Sequence, residues 1–271
     1  MVNIYDISKE IKIDEKAYLY KNPYALNIGF SISDDFEKKY IKDSGTRLDN
    51  LNNFFKALTG IQDDVLIKIP YIESNGFRKY DLNKNKEDLY MIFDYKISTN
   101  FSKHGIISIN DKEMILNDFN NGINHIHLSS KDKELLTKVT ENIDINSYDF
   151  YYFNEDVFKL AINKLKEHQL KNVKITGNKM SADIDLDKDS LVMITIPYDK
   201  GWNVYVDGKN VKYGEIADTF IGINIPKGNH KIHMVFYPRG MIIGIIISFI
   251  NLLLTIFYLK NVSKSLNINK N

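Results

Sequence analysis

The nineteen residues from Met241 to Leu259, MIIGIIISFINLLLTIFYL, contain no charged side chain. As a helix rising about 1.5 Å per residue they would cross about 28 Å, close to the hydrocarbon thickness of roughly 30 Å in a bilayer. A buried core helix is the competing reading, but an uninterrupted apolar run of this length is rare in soluble folds. The run therefore predicts a C-terminal transmembrane helix over 241–259, followed by a short tail over 260–271. The basic residues around it do not choose a side. Lys227, Lys231 and Arg239 precede the run and Lys260, Lys264 and Lys270 follow it, so the loop-charge rule is silent. The first thirty residues carry Asp6, Lys9, Glu10, Lys12, Asp14, Glu15 and Lys16 without an apolar stretch of signal-peptide length, and no export signal is expected there. On these grounds alone a tail-anchored cytosolic protein and an exported domain are equally compatible with the chain.

Upstream of the run, 240 residues leave room for one large or two small domains with a real core. With 36 basic and 35 acidic side chains there is no broad positive field of the kind nucleic-acid backbones select, so nucleic acid is not an expected partner. The chain has no cysteine, which excludes disulfides, thiolate nucleophiles and sulfur-based zinc sites.

Patterning predicts a mainly β fold. Two apolar stretches over 17–33 flank Asn22-Pro23 as a strand pair, and Leu48, Leu51, Phe54, Phe55 and Leu58 recur at helical spacing before Gly60, a C-cap signal. Residues 1–60 read as a lead-in to a β-sandwich-like region over 61–238, of one or two subdomains. Strands are predicted over 65–71, 89–98, 105–110, 113–116 and 123–128, and a second amphipathic helix over 154–169 begins at Asn154. Met180, Ala182, Ile184 and Leu186 alternate with polar residues, as in a half-buried strand. Trp202, Val204 and Val206 lead into Asp207-Gly208, a strong hairpin signal because a type I′ turn needs positive φ at both central positions. A returning strand over 209–213 and two more over 219–225 and 230–237 follow. Pro238-Arg239-Gly240 then joins the last strand to the membrane run, a linker too short for free swinging.

Together the segments Thr195-Ile196-Pro197-Tyr198-Asp199-Lys200-Gly201-Trp202, Val204 to Lys209, Phe220-Ile221-Gly222, Pro226 to His230 and Gly244 to Ser248 resemble the C-terminal end of the YfhO family of bacterial multipass membrane proteins. Asn22 to Phe30 and Phe55 to Gly60 fit the same family, so the resemblance runs from about residue 18 to 259. It implies a glycosyltransferase-like membrane protein that uses lipid-linked sugar on cell-wall polymers such as teichoic acid, with this region extracytoplasmic and the tail cytoplasmic. It also implies a series of earlier spans and an acidic catalytic residue in an early loop. This chain has neither, so it is expected to be a fragment or a truncated product that carries no catalytic residue.

Candidate chemistry is sparse. Asp183, Asp185, Asp187 and Asp189 lack the Gly and Glu of a calcium loop, where Lys188 and Ile194 stand, and read as a solvated strand face. His125 with His127, and His230 with His233, have no third ligand and read as structural. No cofactor or metal is expected. Tyr198, Trp202 and Tyr205 could stack on a sugar ring, although the parity Trp202 shares with Val204 and Val206 favours core packing for the tryptophan. In the membrane run Gly240, Gly244, Ser248, Asn251 and Thr255 form one small and polar stripe, a candidate face for docking on transmembrane helices of a multipass portion or on a second copy. Two functions follow: an accessory module that positions cell-wall glycan for a membrane glycosyltransferase, or a structural or interaction domain that never touches sugar.

Overall fold

The computed structural model describes residues 6–14, 17–42, 45–82, 88–96, 105–110, 112–116, 123–127, 134–141 and 144–268. Strand is the main element among the described residues, and the fold is mainly β as the patterning predicts. The chain divides into two compact units, one of Met1–Gln169 with Ser190–Val192 and the other of Leu170–Asp189 with Met193–Asn271.

In the first unit β1 (Asp6–Asp14) pairs with β2 (Ala17–Lys21). The predicted turn at Asn22-Pro23 leads from β2 towards β3 (Gly29–Ile32), but the partner of β2 is β1, a strand whose charged sequence hides its pattern. Two helices follow, α1 (Phe36–Lys39) and α2 (Arg47–Thr59). Helix α2 begins in a reciprocal capping box between Thr46 and Asp49 and ends at Gly60 with φ 73°, the left-handed cap the sequence signals. Among the described residues nine strands follow: β4 (Leu66–Lys68), β5 (Tyr71–Ser74), β6 (Phe77–Asp81), β7 (Asp88–Lys96), β8 (Gly105–Ile109), β9 (Lys112–Leu116), β10 (Ile123–His127), β11 (Glu134–Glu141) and β12 (Asp144–Phe153). They form a four-stranded sheet of order β10-β7-β12-β4 and a five-stranded sheet of order β5-β6-β11-β8-β9. Tyr80, Leu135, Phe150 and Tyr151 are fully buried, and the Tyr80 and Phe150 rings meet edge to face at 4.7 Å. Leu48 of α2 packs with Leu66 and Tyr151, which seats the helix on the β4–β12 edge. Helix α3 (Glu155–Glu167) closes the unit, and its N-cap Asn154 accepts from the Val157 amide as predicted.

The second unit holds β13 (Lys171–Thr176), β14 (Lys179–Leu186), most of β15 (Ser190–Pro197), β16 (Trp202–Val206), β17 (Lys209–Asn210), β18 (Gly214–Ile216), β19 (Phe220–Ile225), β20 (Gly228–Phe236) and helix α4 (Met241–Ile268). One sheet has the order β13-β14-β20-β16-β17, and β18, β19 and β15 are neighbours in another. Antiparallel register lines up Met180, Met234 and Val204 in one row and Ala182, Ile232 and Val206 in the next, all buried. On the other sheet Ile221, Ile223 and Ile225 repeat at period two and are buried, as are Met193 and Ile194. Two sheets with buried apolar faces in one unit make the sandwich-like core. Helix α4 is the predicted membrane helix, extended beyond the apolar run. Every residue of Ile243–Lys260 is exposed, and the segment is long and apolar enough to cross a membrane.

The hairpin at Asp207-Gly208 follows the sequence signal, with φ 51° and 77°. A Cβ at Gly208 would meet no heavy atom within 4 Å, so the cost of a side chain there is conformational alone. Gly208→Val is expected to lower stability by about 1 kcal/mol or more in chemical denaturation, and an unchanged midpoint would argue against the type I′ turn. The returning strand is only Lys209–Asn210, shorter than the predicted 209–213.

Asp207 also ties the hairpin to β20. Its carboxylate accepts from the Lys231 amide at 2.9 Å and contacts His230 Nδ1 at 2.7 Å. The Lys231 bond, then the imidazole, holds Asp207 below its ordinary 3.8, and the Asp207 bond raises His230 above 6.5 against the effect of burial. A raised histidine contributes stability below its unfolded value that is lost as pH rises through the folded one. A lowered aspartate contributes above its unfolded value, and the gain is lost as pH falls through the folded one. The pair therefore works best between 3.8 and 6.5. In an NMR titration the His230 midpoint should lie above 6.5 and drop towards it in Asp207→Asn; equal midpoints would contradict the coupling.

Candidate functional site at the membrane-proximal joint

The site begins with strand direction. Strand β20 runs from Gly228 to Phe236 and reaches α4 after four residues. Trp202 opens β16 opposite Phe236, and Lys179 opens β14 opposite Val235. The segments before β14 and before β16 therefore lie at the same end of the sheet as the membrane helix. Thr219 joins them, since its carbonyl accepts from the Tyr198 amide at 2.7 Å.

The segment Tyr198-Asp199-Lys200-Gly201 is folded back on itself and pinned. The Gly201 amide donates to Asp199 Oδ1 at 2.6 Å, an Asx turn, and the Trp202 amide donates to the Asp199 carbonyl at 3.3 Å. The Gly201 carbonyl then accepts from the Tyr237 amide at 2.9 Å. Gly201 is buried, and a Cβ on it would stand 2.5 Å from the Tyr237 carbonyl oxygen and 2.8 Å from the Phe236 ring. The absence of a side chain is what lets the loop lie against the last residues of the strand. Tyr213 adds a strut, its hydroxyl donating to the Trp202 carbonyl at 2.9 Å and the Asp199 carbonyl at 3.1 Å. Burial raises the Tyr213 pKa, with Tyr198 and Asp199 adding to the rise and Arg239 opposing it.

Below the loop, the Met241 amide donates to the Pro238 carbonyl at 3.1 Å and the Gly244 amide to the Gly240 carbonyl at 2.7 Å. Gly240 has φ 80° and stands just before the first helical residue. The passage from sheet to helix is thus a hydrogen-bonded turn rather than a slack linker.

Of the three aromatic candidates, two lie at this joint. The Trp202 ring packs on Phe236 at 5.0 Å between centroids and shares its strand face with buried Val204 and Val206. Tyr198 lies 5.8 Å from Tyr213. Tyr205 has the opposite parity and lies beside His233 on the outer face, at 6.2 Å. In the helix stripe, Asn251 donates to the Ile247 carbonyl at 3.0 Å and Thr255 to the Asn251 carbonyl at 2.9 Å, so both polar groups have partners within α4. Among the acidic row, Asp183 accepts from Asn172 and Asp189 from the Lys227 amide. His125 and His127 lie on β10, outside the residues whose side chains are described. Asp199, Gly201, Tyr213 and Tyr237 did not stand out as site residues in the sequence; the Asp-x-Gly spacing before Trp202 was the available signal for the loop.

Comparison with known proteins agrees with the resemblance seen in the sequence. The family described as "Bacterial membrane protein YfhO" matches residues 2–248. A protein of Bacillus subtilis (strain 168) named "Uncharacterized protein YfhO" is 31% identical over 117 residues, which cover 43% of this chain and 14% of that protein's length.

Proposed function

This chain belongs to the YfhO family of bacterial membrane proteins, and from that membership we propose that it is an accessory module of a membrane glycosyltransferase. In this reading the β units lie outside the cell, the tail after α4 lies in the cytoplasm, and sugar transfer from a lipid-linked donor to a cell-wall polymer such as teichoic acid is performed by a multipass portion. The module's part is to hold the acceptor polymer, or the wall of the vestibule, at a set place above the membrane.

One observation carries this reading: the Tyr237–Gly201 pin and the hydrogen-bonded turn at Pro238–Met241 couple the second unit directly to α4. A β unit on a slack tether samples many orientations, whereas one fixed within about four residues of the span keeps its faces at defined heights. A fixed orientation serves positioning. The small face of α4 around Gly244 and Ser248 would receive a neighbouring helix, of the multipass portion or of a second copy. Gly244→Ile should weaken that association in a crosslinking assay while Ile246→Leu leaves it unchanged, and equal behaviour would remove the docking face.

The test uses the full chain in lipid vesicles, offered a teichoic-acid polymer and, separately, a polyprenyl-phosphate sugar. Retention of the polymer without sugar turnover is the expected result. Failure to retain the polymer would favour a structural or interaction domain that touches no glycan, and turnover by this chain alone would overturn the accessory reading.

A further inference from the structure

The membrane-proximal end of the second unit is built from four stretches. The β13–β14 turn is held there by Asn178, whose side-chain amide donates to the Phe236 carbonyl at 2.7 Å and whose backbone carbonyl accepts from the Phe236 amide at 2.8 Å. The 198–201 loop, Thr219 and the segment Tyr237–Gly240 complete the rim. Exposed on it are Lys179, Lys200, Arg239 and Tyr237, the last at 43%. Two carboxylates share this end, Asp199, which accepts from the Gly201 amide, and Asp218.

Distance decides what this rim can meet. The polar interfacial layer of a bilayer is about 5–8 Å deep on each side. Arg239 stands two residues before α4, and the Met241–Pro238 bond keeps the intervening chain compact. The Tyr237 pin holds the 198–201 loop, and with it Lys200, at the same level. Tyrosine with its polar tip, and long cations able to snorkel, are the side chains that favour such a layer. We propose that this end of the β unit is a lipid-contact surface, with Tyr237 seated among the headgroups and Lys200 and Arg239 on the phosphate oxygens of anionic phospholipid. Each cation near an anionic surface gains about 1 kcal/mol, which adds to the hold that the joint already has on this end of the unit.

The chain offers its own probe, because Trp202 is its single tryptophan and stands at this end. The full chain would be reconstituted in phosphatidylcholine vesicles with and without phosphatidylglycerol, and Trp202 fluorescence quenched by a nitroxide carried on the headgroup or deep in the acyl chain. Headgroup quenching should dominate, increase with phosphatidylglycerol, and fall by about half or more in Lys200→Glu/Arg239→Glu. An unchanged near-ultraviolet dichroism spectrum would show that the charge-reversed chain is folded; if it is not, Lys200→Gln/Arg239→Gln serves in its place with the same expected direction. Absence of headgroup quenching, or equal quenching with and without anionic lipid, would overturn the proposal. Lipid contact of this kind holds for either leaflet, so its failure leaves the orientation and polymer role proposed above intact, and theirs leaves it intact.

Discussion

Asn52→Leu is expected to destabilise the first unit by about 3–5 kcal/mol, because it leaves two buried backbone groups without partners at about 1–3 kcal/mol each and removes a favourable bond pair besides. The Asn52 side chain is buried inside α2 and reads the edge of β4 as a neighbouring strand would. Its Nδ2 donates to the Leu66 carbonyl at 2.7 Å, and its Oδ1 accepts from the Leu66 amide at 2.9 Å. Leucine matches the size but supplies neither function. The same helix is fastened at its start, where the Tyr151 hydroxyl lies 3.0 Å from Thr46 Oγ1 and donates to Asp49 Oδ1 at 3.2 Å. Burial pushes the Tyr151 pKa up to about 12, so this hydroxyl stays a donor at any physiological pH. Hydrogen exchange at the Leu66 amide together with a urea melt of the detergent-solubilised chain would check the substitution. Lost protection and a lowered midpoint are expected, whereas a protected Leu66 amide would show that the Asn52 pairing contributes little.

Gly201→Val should have a comparable effect on the second unit, about 2–4 kcal/mol, by overpacking at about 1–3 kcal/mol and by loss of the Tyr237–Gly201 bond at about 1 kcal/mol. The atom in the way is the backbone oxygen of Tyr237, 2.5 Å from the position of a Cβ, and backbone cannot step aside as a flexible side chain can. Gly214 provides the comparison, since a Cβ there meets nothing within 4 Å and Gly214→Ala should be close to neutral. Similar losses at both positions would mean that glycine at 201 answers a general need for chain flexibility and not a close approach at the joint. The substitution should also loosen the unit against α4, which widens the distance distribution between spin labels on the hairpin and on the helix.

Much of this architecture was legible wherever a single local rule dominates. The membrane run, the Gly60 and Asn154 caps, the period-two strand at Met180–Leu186 and the Asp207-Gly208 hairpin each depend on a few adjacent residues, and the structure places all of them. What escaped is instructive in the same terms. Strand β15, SLVMITIP, has adjacent buried residues Val192, Met193 and Ile194, so it has no alternation to recognise. Strand β12 mixes aspartate, serine and aromatics because both faces are partly covered near Asp149–Tyr151, and β1 is written largely in charged residues. The joint was half legible. Trp202 and its parity were readable, but the contact between Gly201 and Tyr237 links positions far apart in sequence, and no local pattern records it.

The proposed orientation puts the β module outside the cell, held to the membrane by α4. A chain without native cysteine allows its most direct test, since a single engineered cysteine reports its own side of the membrane. Lys209→Cys at the hairpin and Ser265→Cys beyond the span would each be treated in intact cells with a membrane-impermeant maleimide. Lys209→Cys should react at once and Ser265→Cys only after the cells are permeabilised. The reverse pattern would contradict the outward orientation, and reaction at both positions in intact cells would contradict the span itself.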